Sequence, residues 1–276
     1  MALAFSKMHG LGNDFVVVDA RARPFDSDPA RIRAMADRRR GIGFDQLLTI
    51  EPARDPSCAY AYGIWNTDGS SARQCGNGVR CVAAWLRRAG ALDAGSMRLQ
   101  SPAGAVTVRL LDDGRIAVDM GEPVFAPSRI PFAVDNEADA YPLQVGTRTL
   151  TIGAVSLGNP HAVVEVDDAD DPAATAPGPL LSEHPRFAQG CNAGFVAVVA
   201  RDRVRLRVHE RGAGWTLACG TGACAAVAVL RRRGRVDAEV AVELPGGTLA
   251  IAWPGPGATL WMTGPAAFAY EGSWPS

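Results

Sequence analysis

Two cysteines occur in the same short pattern, and the pattern suggests acid/base chemistry. Cys75 begins CGNGVRCVAAWLRRAG, Cys219 begins CGTGACAAVAVLRRRG, and eight of the sixteen positions are identical. Each pattern predicts a turn followed by an apolar helix, with Arg residues near its end and Gly90 or Gly234 as its C-cap. Each thiol would then lie at a helix N-terminus, where unpaired N–H groups and the positive end of the dipole stabilise an anion, either a thiolate or a bound carboxylate.

Such an environment can bring a thiol into its ionised form near neutral pH. A free cysteine has a pKa of about 8.5, which falls to roughly 3.5 to 7.5 at helix N-termini and beside cations. The dipole contributes only about 0.3 to 1 kcal/mol, and one pKa unit corresponds to roughly 1.4 kcal/mol, so a second perturbing group is needed. His161, in the GNPH turn, and Glu210, nine residues before Cys219, are the candidates for setting which thiol is ionised.

Two opposed thiols suit the inversion of a tetrahedral carbon. One group must remove a proton from one face of the carbon, and another must deliver a proton to the opposite face. The resting site would hold one thiolate and one thiol, and their roles would exchange in the reverse reaction. We therefore expect an epimerase that needs no cofactor, and the sequence contains no dinucleotide fingerprint or P-loop.

The cysteine motifs belong to a longer internal repeat with an offset of 144 to 146 residues. Asn66 precedes Cys75 by the same nine residues that separate Glu210 from Cys219. The other matching anchors are Asn13 with Asn159 and Gln46 with Asn192. Short strand-like segments and a helix in each copy predict an α+β fold of two homologous halves. The proline-rich residues 122–131 predict the boundary, so the halves would be 1–119 and 120–264, with 265–276 returning to the first half.

The composition favours a compact globular protein with a small-molecule partner. The 276 residues are 47% hydrophobic and 21% charged, with a formal net charge of −1. These values indicate neither disorder nor a nucleic-acid or membrane surface. No secretory signal or 18-residue apolar stretch is evident, which predicts a cytoplasmic protein with reduced cysteines. The cysteines and histidines lack the close spacing of a metal site, and Cys58, Cys81, Cys191 and Cys224 are expected to be core residues.

Seven blocks of the chain, in order, resemble the diaminopimelate epimerase family. They are KMHGLGNDFVVVD, GIGFDQLL, NTDGSSARQCGNGVRC, SLGNPHAVVEVDD, NAGFVAVV, ERGAGWTLACGTGACAAVAV and LPGGTLAIAW. The resemblance implies two similar α+β halves, each a barrel-like antiparallel or mixed sheet around a central helix, with the site in the cleft between them. It also implies cofactor-independent conversion of LL- to meso-diaminopimelate, in lysine and peptidoglycan-precursor biosynthesis.

The resemblance also assigns residues by position. It makes Cys75 and Cys219 the catalytic pair, with His161 and Glu210 tuning the thiols. Arg211 suits the second carboxylate of such a substrate, since its planar fork can bind a carboxylate through two hydrogen bonds. The implied substrate contacts are Asn13, Gln46, Asn66, Gly76, Asn77, Asn159, Asn192, Glu210, Arg211, Gly220 and Thr221. The resemblance further implies a homodimer with Tyr270 in the contact between subunits.

The chain departs from the family pattern at Trp215, where the family usually has Glu, and more mildly at Trp65, where Phe is usual. At Trp215 we expect an effect on loop packing or on closure over the substrate. His161 could also be a structural residue of its turn, and the asparagines could be turn formers.

Two other functions fit two reactive cysteines. A proline racemase-like enzyme would lack the Glu210–Arg211 pair and its fit to a second carboxylate. A thiol–disulfide oxidoreductase would bond its two cysteines during its cycle and would lose activity under full reduction.

Overall fold

The computed structural model describes residues 2–72, 76–92 and 95–275. Numbered along the chain, the strands are β1 (Leu3–Gly10), β2 (Asn13–Asp19), β3 (Gln46–Pro52), β4 (Tyr60–Asn66), β5 (Gly95–Ser101), β6 (Gly104–Leu110), β7 (Ile116–Asp119), β8 (Tyr141–Val145), β9 (Arg148–Ser156), β10 (Pro160–Glu165), β11 (Asn192–Ala200), β12 (Arg203–Glu210), β13 (Gly214–Trp215), β14 (Glu239–Leu244), β15 (Gly247–Ala252), β16 (Trp261–Gly264) and β17 (Ala267–Trp274). The helices are α1 (Pro29–Ala36), α2 (Gly76–Arg88), α3 (Pro172–Thr175), α4 (Gly178–Ser182) and α5 (Gly220–Arg232), together with a 3₁₀ helix at Pro127–Arg129.

The chain divides into two compact units. The first comprises Met1–Asp119 and Thr263–Ser276, and the second comprises Met120–Met262. In the first unit the strands pair in the order β17–β1–β2–β3–β4–β5–β6–β7, with β2–β3 and β4–β5 parallel and the other pairs antiparallel. In the second unit the order is β8–β9–β10–β11–β12–β14–β15, with β10–β11 and β12–β14 parallel.

The two units repeat one pattern of pairing, and their registers agree. Phe15 lies opposite Gln46 in the first unit, and His161 lies opposite Asn192 in the second, so both partners are offset by 146 residues. β17 occupies beside β1 the place that β8 occupies beside β9. The predicted α+β class with two similar halves is confirmed.

Each unit has a central helix, and strands from widely separated places in the sheet contact it. α2 contacts β1, β2, β3, β6 and β7, and α5 contacts β9, β10, β11, β12 and β15. Nearly every residue of α5 from Gly220 to Leu230 is buried, and most of them are Gly, Ala or Val. A helix that is apolar all round lies inside a core, and small side chains let the strands approach it closely.

Both central helices end as the sequence predicts. Gly90 and Gly234 adopt φ values of 64° and 70°. After them, the Ala91 N–H donates to the Leu86 carbonyl at 3.0 Å, and the Arg235 N–H donates to the Leu230 carbonyl at 2.9 Å. This pattern satisfies carbonyls that the end of a helix would otherwise leave unpaired, and glycine adopts its left-handed conformation without steric cost.

Candidate active site

Cys219 begins the central helix of the second unit. It is the N-cap residue of α5, with φ −111° and ψ 105°, and it is 3% exposed. A Cβ atom at Gly222 would lie 3.2 Å from Cys219 Sγ and 2.9 Å from Val208 Cγ2. Glycine therefore leaves room for the sulfur against the first turn of the helix, where the Gly222 N–H donates a hydrogen bond to it.

The surroundings of Cys219 keep its proton on the sulfur. Burial raises the pKa of the Cys219 thiol well above its usual range, and the negative charge of Glu210 raises it further. Hydrogen bonds from the Thr221 hydroxyl and the Gly222 N–H act in the opposite direction and are outweighed. Desolvation exceeds the effect of the helix dipole at this thiol, so the protonated form is favoured. In this environment Cys219 favours the thiol over the thiolate.

Glu210 is held by a residue that the sequence did not single out. It is the last residue of β12, and its Oε1 accepts a hydrogen bond of 2.6 Å from the hydroxyl of Thr216. The carboxylate also hydrogen-bonds to Cys219 and raises the pKa of that thiol. Glu210 therefore lies in contact with Cys219 in the second unit, and its role in tuning the reactive thiols stays a prediction.

His161 reaches the same cluster through Asn159. It is 1% exposed on β10, and burial, followed by the positive charge of Arg211, lowers its pKa to about 3. Its Nε2 lies 3.0 Å from Asn159 Oδ1, and Asn159 Nδ2 donates to Thr221 Oγ1 at 3.4 Å. His161 is thus a neutral imidazole near pH 7, so it cannot stabilise a thiolate as a cation.

Arg211 and Asn192 lie at the same end of the antiparallel β11–β12 pair, Asn192 at the start of β11 and Arg211 just after β12. The Arg211 backbone N–H donates to Asn192 Oδ1 at 3.0 Å, and its guanidinium donates to the carbonyl of Gln189. Gly190 has φ 65°, and a Cβ atom there would lie 3.1 Å from Arg211 Cδ. The glycine therefore permits the arginine stem to pass close to the backbone, and Arg211 as a whole is exposed to solvent.

In the first unit, the predicted contact residues form two hydrogen-bonded pairs. Asn77 Nδ2 donates to Asn13 Oδ1 at 3.1 Å, and Gln46 Nε2 donates to Asn66 Oδ1 at 3.0 Å. Antiparallel pairing of β3 and β4 places Gln46 directly opposite Asn66. Cys75 lies outside the described residues, and α2 begins at the next residue, Gly76, which is buried.

A strained turn places Asn13 at the start of β2. Gly10 pairs with Asn13, and the two residues between them, Leu11 and Gly12, have φ values of 56° and 87°. Two positive φ values define a type I′ hairpin turn, and the first is costly for leucine because its Cβ crowds the backbone. The fold maintains this conformation beside a predicted contact residue, as often occurs at functional sites.

A network of charges beside Asn13 is a further feature that sequence reasoning missed. Asp45 Oδ2 accepts from Asn13 Nδ2 at 2.8 Å, and Arg38 bridges Asp45 and Asp14 at 2.6 and 2.7 Å. Burial acts to raise the pKa of Asp14, but hydrogen bonds from Arg38 and Lys7 outweigh it and lower that pKa to about 2. The signal in the sequence was Asp45, the charged residue immediately before Gln46.

Arg80 is a second missed residue. It is fully buried in α2, and its guanidinium donates to the Pro265 carbonyl at 3.1 Å and to the Gly76 carbonyl at 3.5 Å. It therefore ties the first turn of α2 to the returning C-terminal segment. The second cysteine motif has Cys224 at the matching position, so the lone arginine on an apolar helix face was the available signal.

Trp215 packs on the face of the β12–β13 pair opposite to the face that carries the Glu210 side chain. It pairs with His209, and the two rings meet edge to face at 5.2 Å, while Glu210 pairs with Gly214. A Cβ atom at Gly178 would lie 2.7 Å from the Trp215 ring. Neighbouring residues of a strand point to opposite faces, so the tryptophan packs over α4 and away from the side of Glu210. We expected Trp215 to affect either loop packing or closure over the substrate, and its contacts support the effect on loop packing.

Tyr270 lies on β17, is 49% exposed, and meets the ring of Phe5 edge to face at 6.1 Å. The remaining cysteines are buried, as expected of core residues: Cys58, Cys81, Cys191 and Cys224. Within residues 2–72, 76–92 and 95–275, no three His, Cys, Asp or Glu side chains gather in a way that could hold a metal ion. Nor does that part of the chain contain a helix with the length and apolarity needed to cross a membrane.

Comparison with known families identifies the kind of enzyme. Residues 5–126 and 153–269 match the family model described as diaminopimelate epimerase. The match, with the two-unit fold, makes the protein an isomerase of the epimerase type. The chain belongs to the diaminopimelate epimerase family.

Solved structures share this fold at low sequence identity. A hydroxyproline epimerase from Agrobacterium vitis, with bound trans-4-hydroxy-L-proline, is 16% identical with a TM-score of 0.72, over 99% of this chain and 92% of its own. A PhzF-family phenazine biosynthesis protein from Bacillus anthracis is 16% identical with a TM-score of 0.70, over all of both chains. A methylitaconate-delta-isomerase is 13% identical with a TM-score of 0.67, over 99% of this chain and 95% of its own. These proteins have different activities, so their likeness establishes the fold alone.

Proposed function

We propose that this enzyme interconverts LL- and meso-diaminopimelate, with Cys75 and Cys219 as its acid/base pair and without a cofactor. The observation that carries the proposal is the Cys219 thiol at the start of α5, which is buried beside the Glu210 carboxylate so that its pKa is raised. A buried thiol whose pKa is raised is a proton donor, and the reaction then needs a thiolate partner. Cys75, at the matching place in the repeat, supplies that partner.

The proposed step conserves protons and charge. The Cys75 thiolate takes the α-proton, and the electron pair of the C–H bond moves onto the α-carbon and its carboxylate. The Cys219 thiol gives its proton to the opposite face of the carbon and is left as a thiolate. Backbone N–H groups at the start of α5 stabilise the negative charge that develops on the carboxylate. The reverse reaction begins from the exchanged protonation states.

The chemistry of the predicted contact residues supports diaminopimelate as the substrate. It carries an amino group and a carboxylate at each end, and only one end is inverted. Arg211 provides a cation whose planar fork suits the second carboxylate, and Asn192 fixes the backbone at that residue through the 3.0 Å hydrogen bond. The amide groups of Asn13, Gln46 and Asn66 supply further donors and acceptors for the charged ends.

Solvent deuterium incorporation at the α-carbon of LL-diaminopimelate, followed by proton NMR, tests the proposal. Wild type is expected to exchange the α-proton and form the meso isomer. Cys75→Ala and Cys219→Ala should each lose turnover by about 10²-fold or more, as expected for loss of a general acid or base. Cys58→Ala removes a buried thiol that belongs to neither cysteine motif, and it is expected to retain activity.

Two outcomes would count against separate parts of the proposal. Exchange that persists undiminished in both catalytic variants would exclude the thiol pair. Turnover of L-proline or trans-4-hydroxy-L-proline, with none of diaminopimelate, would retain the thiol pair and exclude the substrate. Retained activity in excess reductant is expected, because neither thiol is oxidised in the proposed cycle.

We also propose that the enzyme is a homodimer with Tyr270 at the contact. Support comes from the exposed phenol on β17, where a half-exposed aromatic side chain is typical of an interface residue. Light scattering after size-exclusion chromatography tests this, and a Tyr270→Ala variant should shift towards the monomer. A wild-type monomer at all practical concentrations would refute the proposal.

A further inference from the structure

The hydroxyl of Thr221 lies between a hydrogen-bond donor and the sulfur of Cys219. Thr221 Oγ1 is 3.4 Å from Asn159 Nδ2 and 3.7 Å from Cys219 Sγ. A hydroxyl has a single hydrogen to donate and two lone pairs with which to accept. An amide nitrogen can only donate, so the hydroxyl accepts from Asn159 and its own hydrogen is free to point at the sulfur.

His161 fixes the orientation of the Asn159 amide. A neutral imidazole has one N–H group, and Nε2 lies 3.0 Å from Asn159 Oδ1, which can only accept. The amide oxygen therefore faces His161 and the amide nitrogen faces Thr221. Burial keeps His161 neutral near pH 7, so this direction of donation persists across the neutral range.

We propose that Thr221 is a catalytic residue whose hydroxyl donates to Cys219 Sγ and stabilises the thiolate that forms when Cys219 releases its proton. Asn159 and His161 are positioning residues that hold the hydroxyl in this direction. The hydroxyl keeps its proton throughout, so no bond to Thr221 forms or breaks. This role belongs to the side chain and is distinct from the substrate contact that family resemblance assigns to Thr221.

The inference explains how one sulfur can serve as an acid and then as a base. Glu210 is the charged group that acts on Cys219 among the described residues, and it favours the thiol. If nothing opposed it, Cys219 would hold its proton too tightly to release it to a substrate. The Thr221 hydroxyl and the Gly222 N–H are the donors that favour the thiolate, one from the side chain and one from the backbone of the first turn.

The inference rests on the proposed acid/base role of Cys219, but its test needs no substrate. Alkylation of Cys219 by iodoacetamide is followed against pH in a Cys75→Ala background, and the Cys219 peptide is quantified by mass spectrometry. Iodoacetamide reacts with the thiolate, so the rate at fixed pH reports the ionised fraction. A hydrogen bond to a charged group is worth about tenfold in an equilibrium constant.

Thr221→Val keeps the branched shape and removes the hydroxyl, so Cys219 should react about tenfold more slowly at pH 8, and the inflection of the profile should move to higher pH. Thr221→Ser keeps the hydroxyl and should retain the wild-type profile. Thr221→Ala repeats the loss if the valine variant does not fold. An unchanged profile in the valine or alanine variant, or an equal shift in the serine variant, would overturn the inference. Failure of diaminopimelate turnover would leave these alkylation results unaffected.

Discussion

Replacing Glu210 by glutamine should make Cys219 more acidic. The substitution removes the negative charge and keeps an oxygen that can accept from Thr216, which is 2.6 Å away in the native protein. Burial of Cys219 is unchanged, so its pKa should remain raised, but by less. A neighbouring charge of the same sign as the ionised form changes a pKa by about one unit or more, which is about tenfold in the thiolate fraction at a fixed pH.

The pH profile of Cys219 alkylation measures this change. In a Cys75→Ala background, the Glu210→Gln variant should react about tenfold faster at pH 8, with its inflection at lower pH. Glu165→Gln removes a carboxylate of the same unit that pairs with Arg235, and it should leave the profile unchanged. With Cys75 restored, Glu210→Gln should lower kcat, because a larger fraction of Cys219 would already be ionised and could not act as the acid.

An unchanged profile in Glu210→Gln would mean that burial alone keeps the proton on Cys219, and the assigned role of Glu210 would be refuted. A shift to higher pH would contradict the sign of the electrostatic argument itself. Circular dichroism and the melting temperature of both variants establish that the fold is intact. The comparison depends only on relative rates, so the low exposure of the sulfur affects both variants equally.

Four further predictions concern other residues. Gly222→Ala should cost about 1 to 3 kcal/mol of unfolding free energy and most activity, since its Cβ would meet Val208 and the Cys219 sulfur; native denaturant midpoints and kcat would contradict this. Asp45→Asn should raise KM more than it changes the melting temperature, because it weakens the hold on Asn13, and an unchanged KM would refute the coupling. The pKa of His161 is lowered to about 3, so this residue binds more protons in the unfolded than in the folded protein. The free energy of unfolding should therefore fall by about 1.4 kcal/mol per pH unit as the pH drops below about 6.5, and His161→Gln should flatten that slope. Cys191, with its pKa raised to about 12, binds more protons when folded, so stability should fall above about pH 9, and Cys191→Ala should remove that loss; slopes unaltered in either variant would exclude these residues as the source.

The sequence predicted the fold through its repeat. A nearly constant offset between anchors is preserved only when each copy folds in the same way, and Gln46 and Asn192 begin equivalent strands in equivalent register. Glycines after the arginine pairs marked the ends of α2 and α5, because left-handed backbone favours glycine. The parallel pairs and the short elements α3, α4 and β13 lay beyond such reasoning, since they depend on contacts distant along the chain.

Predictions about the site were limited by burial, which a sequence does not reveal. The sequence pattern correctly placed Cys219 at the start of α5, and the helix dipole suggested that its pKa would be lowered. Burial among the strands that pack around the helix raises that pKa instead. His161 was a candidate for direct tuning, yet its contact runs through Asn159 and Thr221. Thr216 carried no signal of its own, because its partner Glu210 is brought near only by the turn through β13.

The place of β17 beside β1 has a consequence for biosynthesis. A ribosome completes residues 120–262, and so the whole second unit, before it makes β17. Until then β1 has an unpaired hydrogen-bonding edge, which is open to pairing with other nascent chains or to capture by chaperones. The first unit, although it emerges first, is thus the later of the two to finish its sheet.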